Sequence, residues 1–185
     1  MPFSEPDGET PIAGASEMPE SLDRSTAERL SLVRYLFSVA EQQTRLPESL
    51  RGIALLTLHD AVELFLHLAA QHLNVSLSRG RSLEYGEYFA KIGEADTSKK
   101  LTRQHQMLQL NTARIGLKHH GIRTSGSEVE DLRDQVSRFL SENTPLIFGV
   151  SIESVSVVDL IRFPIARQHL REAGFLLSQG RPVAQ

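Results

Sequence analysis

The sequence predicts an all-α fold, an antiparallel helical bundle carrying extra helices at its C-terminal end. Three observations predict it. Apolar residues recur at helical spacing in successive segments, and these are punctuated by Pro, Gly or Ser-rich stretches. One long segment is apolar around most of its circumference, the pattern of a helix covered by neighbours on several sides. The chain has 185 residues, enough to bury such a core in one domain. It contains no cysteine, which excludes a disulfide framework, a thiolate zinc site and a cysteine nucleophile.

Residues 1–22 hold four prolines and little apolar content, too little buried surface to offset the entropy of ordering them, so they read as a disordered acidic tail. A helical bundle is expected over 24–146. Its first helix runs from Arg24 to Arg45, with Leu30, Val33, Leu36, Phe37 and Val39 at helical spacing, and Pro47 closes it. The second, central helix spans Glu48 to Leu73, its polar exceptions Asp60, Glu63 and His67 falling at i, i+3 and i+7. Asn74 to Arg81 is a loop. A shorter helix follows, with Leu83, Tyr85, Tyr88, Phe89 and Ile92, ending near Gly93.

A fourth helix is expected from Ser98 to His119. The fifth opens on a capping box, Ser127 with Glu130 three residues later, and stops before Pro145. The segment 150–180 reads as a helical extension packed on the bundle. Val150 to Val158 is β-branched and alternating, which on its own argues for a strand; a lone strand has no partner in a helical chain. The alternative is a short helix capped by Ser156 through Ile161, followed after Pro164 by a helix over 165–178.

The formal net charge of −3 is unevenly distributed. Glu5, Asp7, Glu9, Glu17, Glu20 and Asp23 lie in a segment without Lys or Arg, and setting these six aside leaves 17 acidic against all 20 basic residues. An acidic tail on a body of about +3 is compatible with an RNA partner. No basic region followed by an apolar run opens the chain, and the most hydrophobic stretch, Ile53 to Leu68, is broken by His59, Asp60, Glu63 and His67. The expectation is a cytoplasmic protein without a membrane partner.

The densest chemistry lies in Leu110-Asn111-Thr112-Ala113-Arg114-Ile115-Gly116-Leu117-Lys118-His119-His120-Gly121. Asn111, Arg114 and Lys118 fall at i, i+3 and i+7 and share one helix face, while Gly121 is the residue expected to stop the helix in a left-handed conformation. His119 follows Arg114 with four residues between, and His120 with five. Together with Leu58-His59-Asp60-Ala61-Val62-Glu63-Leu64-Phe65-Leu66 on an earlier helix, this spacing resembles the Arg-x4-His signature of the HEPN superfamily, helical domains of prokaryotic toxin and antiviral systems. The resemblance covers roughly residues 30–145. It departs from the nuclease members at Ile115, where they usually carry a polar residue.

The resemblance implies metal-independent cleavage of RNA by a homodimer, giving 2′,3′-cyclic phosphate ends. In that mechanism a histidine, His119 or His120, acts on the ribose 2′-hydroxyl and Arg114 stabilises the phosphate charge, with Asn111 and Lys118 holding flanking RNA. The residue types suit those roles: histidine exchanges a proton near neutral pH, and guanidinium offers a rigid fork of donors to phosphate oxygens. Geometry adds a condition, because residues five apart on a straight helix point about 140° away from each other. Either the helix unwinds near His119, or Arg114 and His119 act from two subunits related by a two-fold axis.

Structural roles compete with each assignment. Asp60 and Glu63 are candidate ion-pair partners of Arg114, in a pair whose disruption would cost on the order of 3–5 kcal/mol if it is buried. His119 and His120 can complement the helix dipole. His59, Glu63 and His67, at i, i+4 and i+8, could line up on a metal, yet no Glu-x-x-His pair stands on a facing helix. No metal site and no cofactor is assigned, and His59 and His67 read as interface or satisfied core histidines. Three functional readings stay open: an RNA-binding endoribonuclease, paired with an antitoxin or other partner protein; a catalytically inactive helical module for dimerisation or protein interaction; and a nucleotide-binding bundle using Arg114 and Lys118 as a phosphate clamp.

Overall fold

In a computed structural model of the chain, the described residues are 22–75, 83–156, 158 and 164–179. The acidic tail up to residue 21 and most of the predicted 156–161 helix lie outside them. The described residues are all-α. Seven helices run in the order α1 (Arg24–Gln43), α2 (Glu48–Arg51), α3 (Ile53–His72), α4 (Glu87–Ala95), α5 (Gln104–His120), α6 (Gly126–Phe148) and α7 (Pro164–Ser178). Short 3-10 turns occupy Thr97–Lys99 and Ile152–Ser154.

Helix α3 is the centre of the molecule, packed against α1, α4, α5 and α6. Eleven of its twenty residues are buried, which accounts for its nearly continuous apolar sequence. Phe65 takes edge contacts from Phe139 and Phe148 at ring separations of 5.2 and 5.7 Å, joining α3 to α6. Glu48–His72 is long and apolar enough to cross a membrane by length and composition alone. However, 61% of its most apolar window is buried inside the protein, as befits a core helix.

Helix termini follow their capping chemistry. Asp23 opens α1 by accepting from the Thr26 amide at 3.0 Å and the Thr26 hydroxyl at 2.6 Å. Helix α6 opens at Ser125, not at Ser127: the Ser125 hydroxyl accepts from the Glu128 amide at 3.2 Å, so the N-cap lies two residues earlier than expected. Glu130, freed from that role, pairs with Arg51 at 3.3 Å. A Cβ at Gly126 would fall 2.8 Å from the Arg51 guanidinium, so a larger residue there would displace the flexible end of that arginine.

Other helix boundaries also differ from the sequence expectation, beginning with the helix expected from Glu48 to Leu73, which is interrupted at Gly52 into α2 and α3. Helix α6 continues through Pro145 to Phe148 and ends only at Gly149, whose φ is 72°. Proline removes one intrahelical bond, but Ile147 and Phe148 bury their side chains in the core and hold the last turn. Helix α5 begins at Gln104, not Ser98, because residues 97–103 are pinned to α6 by side chains. Asn143, fully buried, accepts from the Thr102 amide at 2.9 Å and donates to the Phe139 carbonyl at 2.8 Å. Arg103, at φ 60°, donates to Glu142 at 2.9 Å and to Gln135 at 3.0 Å.

The alternating segment after Gly149 forms no strand among the described residues. Val150, Ile152 and Val155 are buried, while Ser151, Glu153 and Ser154 between them are exposed. The alternation therefore reports an irregular stretch laid across the core. Its carbonyls are taken up by α1 instead of a neighbouring strand: Arg34 donates to Val155, and the buried Ser31 hydroxyl lies 2.9 Å from the Ser156 carbonyl.

Candidate functional site

Helices α3 and α5 meet through a polar pair inside an otherwise apolar contact. His59 on α3 is 3% exposed, and its Nε2 lies 3.0 Å from Oδ1 of Asn111 on α5. A carboxamide oxygen only accepts, so Nε2 carries the proton and Nδ1 of the neutral ring keeps a bare lone pair. Tyr85, in the turn before α4, stacks on the imidazole with ring centres 4.6 Å apart and planes 21° apart. Three elements thus fix the orientation of one histidine.

Around Nδ1 of His59 the environment is acidic. The nearest oxygens of Asp60 and Glu63 stand 3.9 and 3.8 Å away, beyond hydrogen-bonding distance, and Nδ1 has no hydrogen-bond partner. The Tyr85 hydroxyl is likewise buried without a partner. Burial is the main influence holding the His59 pKa below the ordinary histidine range; Glu63 opposes it and the Arg114 charge reinforces it, with smaller upward pulls from Asn111 and Asp60. Burial, with a lesser contribution from Glu63, pushes the Tyr85 phenol far up.

Asp60 and Glu63 therefore flank His59. Arg114 makes no ion pair with either within 4.0 Å; its half-buried side chain has no hydrogen-bond or ion-pair partner among the described residues. His67 lies apart from the set, its Nδ1 2.9 Å from the Tyr88 hydroxyl, so a His59, Glu63, His67 stripe does not assemble. The third member of a potential ligand group beside His59 and Glu63 is Asp60, with one ligand atom from each residue within 4.8 Å of the others. The sequence signal for this set is weak, because adjacent His-Asp and a Glu four residues on are common on helices. Only the Asn111 contact from another helix distinguishes it.

At the other end of α5, Lys118, His119 and His120 are exposed and, like Arg123, have no side-chain partner among the described residues. The helix is intact through His120 and closes at Gly121, with φ 63° and the Ile122 amide bonded to the Gly116 carbonyl at 3.1 Å. No unwinding brings His119 back toward Arg114, and the two project about 140° apart. An open apolar groove abuts this end, lined by Leu50, Ile53, Leu56, Leu117 and Arg123. Leu50 and Ile53 are 57% and 48% exposed, and neighbouring Ile122 is 60% exposed.

Comparison with known proteins finds no matching family model, no matching curated protein and no matching solved structure.

Proposed function

We propose that this chain is an RNA-binding, HEPN-like protein that cleaves RNA without a metal cofactor, in a toxin or defence setting, from a site completed by two copies of the chain. One observation carries the reading. Helix α5 delivers Arg114, Lys118, His119 and His120 without side-chain partners, yet its unbroken geometry keeps Arg114 and His119 from converging within one chain. A two-fold pairing places Arg114 of one copy beside His119 of the other with no additional sequence. The exposed Leu50, Ile53 and Ile122 supply apolar surface for such a pairing next to the basic helix end.

In this site His119 takes the proton of a ribose 2′-hydroxyl, and the 2′-oxygen attacks the adjacent phosphorus. The bond to the 5′-oxygen breaks, and the proton held by His119 passes to that leaving oxygen, giving a 2′,3′-cyclic phosphate and a 5′-hydroxyl. Arg114 holds the phosphate oxygens as charge builds on them; Lys118 and His120 contact flanking phosphates. Asn111 is committed to His59, so its assignment to RNA gives way to a positioning role.

A mixing experiment tests the reading. His119→Ala should lower cleavage of single-stranded RNA by about 10²–10⁴-fold, with stability changed by about 1 kcal/mol or less. Arg114→Ala should be similarly inactive. Mixed and re-equilibrated, the two variants should recover about a quarter of wild-type activity, since half the dimers are mixed and each has one intact composite site. A mixture as inactive as its components, or a chain sedimenting as a monomer at micromolar concentration, overturns the composite site. A second reading, a catalytically inactive dimerisation or interaction module, draws on Ile115, 39% exposed and apolar directly after Arg114. A wild-type dimer inert toward RNA would establish it.

A further inference from the structure

We propose that His59 Nδ1, Asp60 and Glu63 form a binding site for one divalent transition-metal cation, of the zinc class, separate from the His119 end of α5. Three electron-rich groups converge there, one ligand atom from each lying within 4.8 Å of the others. His59 is 3% exposed and its Nδ1 is unpartnered, aimed at carboxylate oxygens 3.8 and 3.9 Å away. The Asn111 oxygen takes the proton of Nε2 and so leaves the buried Nδ1 lone pair on the side of the Asp60 and Glu63 carboxylates. A metal-binding histidine characteristically donates its other ring N–H to a carbonyl or carboxylate, which fixes the tautomer and raises the basicity of the ligating nitrogen. Asn111 does this here, and the Tyr85 ring holds the imidazole plane.

Distances and mobility agree with a cation of this size. Bonds of about 2.0–2.2 Å from nitrogen and oxygen separate adjacent ligand atoms by roughly 3–4 Å, and the present separations all lie within 4.8 Å. Closing the difference requires only rotation of the two carboxylates. Their side chains are 61% and 45% exposed, free to move and open to the waters that would complete the coordination shell. One imidazole with two carboxylates suits zinc or manganese better than magnesium, which seldom takes nitrogen. The positive charge of Arg114, which bears on His59, works against the cation and keeps affinity moderate. Together, two carboxylates and a neutral imidazole outweigh one guanidinium.

Calorimetric titration of the full chain with Zn²⁺ alone tests the site. One cation should bind per chain, and Mg²⁺ in excess should not displace it. Asp60→Asn and Glu63→Gln, both at exposed side chains that the fold does not need, should each weaken binding at least about tenfold, and Asn111→Ala by about 10–100-fold. The double variant His119→Ala, His120→Ala should bind as wild type does. Co²⁺ substituted for Zn²⁺ should give visible absorption that disappears in Glu63→Gln. The proposal is overturned if the wild type takes up no stoichiometric Zn²⁺, if the carboxylate variants bind as tightly as it does, or if binding is lost with His119 and His120. No RNA enters these measurements, so their outcome is independent of the cleavage reading.

Discussion

The two ends of the polar cluster of α5 are about two to three helical turns apart and solve opposite problems. At Asn111 the helix presses a carboxamide against buried His59, where three elements converge and the orientation of the ring is determined within one chain. At His119 and His120 the side chains stand in solvent, unpaired, with nothing among the described residues to set their direction. Burial makes geometry but forbids access; exposure permits access but leaves geometry to a second body. A site that must admit RNA belongs at the second end, and a site that must grip a small cation belongs at the first.

Substitutions at the two ends should therefore separate stability from activity. Asn111→Ala carries the largest expected effect on the fold: it leaves the buried His59 N–H without an acceptor, at a cost of about 1–3 kcal/mol, readable as a lowered midpoint in urea. If it costs no more than His119→Ala, the interior end is not the positioning element described here. Arg114→Ala should be milder. The ion pair expected from sequence would have made it cost on the order of 3–5 kcal/mol. Because no carboxylate among the described residues lies within 4.0 Å of the guanidinium, about 1 kcal/mol or less is expected, from lost packing of its stem. A larger loss would mean that Arg114 is bound to Asp60 or Glu63 in solution.

The smallest effect concerns acid. The folded-state pKa of His59 lies below the ordinary 6.5, so the unfolded chain takes up a proton first as pH falls. The resulting contribution is fully present above about pH 6.5 and is lost as pH drops through the depressed folded value. Urea midpoints between about pH 8 and 5 should fall more steeply for the wild type than for His59→Gln. Parallel curves would show that His59 is accessible to protons in the folded state.

Much of the helical framework is legible in the sequence, because burial against one centre imposes the helical period on α1, α3, α4 and α6. Where the periodicity misleads, a contact from a distant residue has intervened. Pro145 looks like a terminator until Ile147 and Phe148 are seen to be buried beyond it. Ser98 looks like a helix start until Asn143 and Glu142 are found holding Thr102 and Arg103 out of the helix. The β-branched pattern over Val150 to Val155 marks side chains that face the core at positions 150, 152 and 155, with a 3-10 turn between, not a ladder of backbone bonds. Within the polar set, Asn111, Arg114 and Lys118 do share a face. The partner of that face was not legible, since nothing local to α3 says that His59 meets Asn111 while Arg114 stays unpaired.

The mesh of Thr102 and Arg103 with α6 anchors the first end of α5, and Ala113 and Leu117 pack on the core nearer its tip. Its two fully buried residues, Met107 and Leu110, lie in the half nearest that support, and beyond Leu110 no residue of the helix is fully buried. Seventeen residues span about 25 Å at the helical rise. A tilt of about 5° at the root therefore displaces the tip, where Lys118, His119 and His120 sit, by roughly 2 Å. The root and the packing of Leu117 thus share control of the positions available at the tip, and loosening Asn143 or Arg103 would widen their spread at a distance, without touching any residue the tip carries.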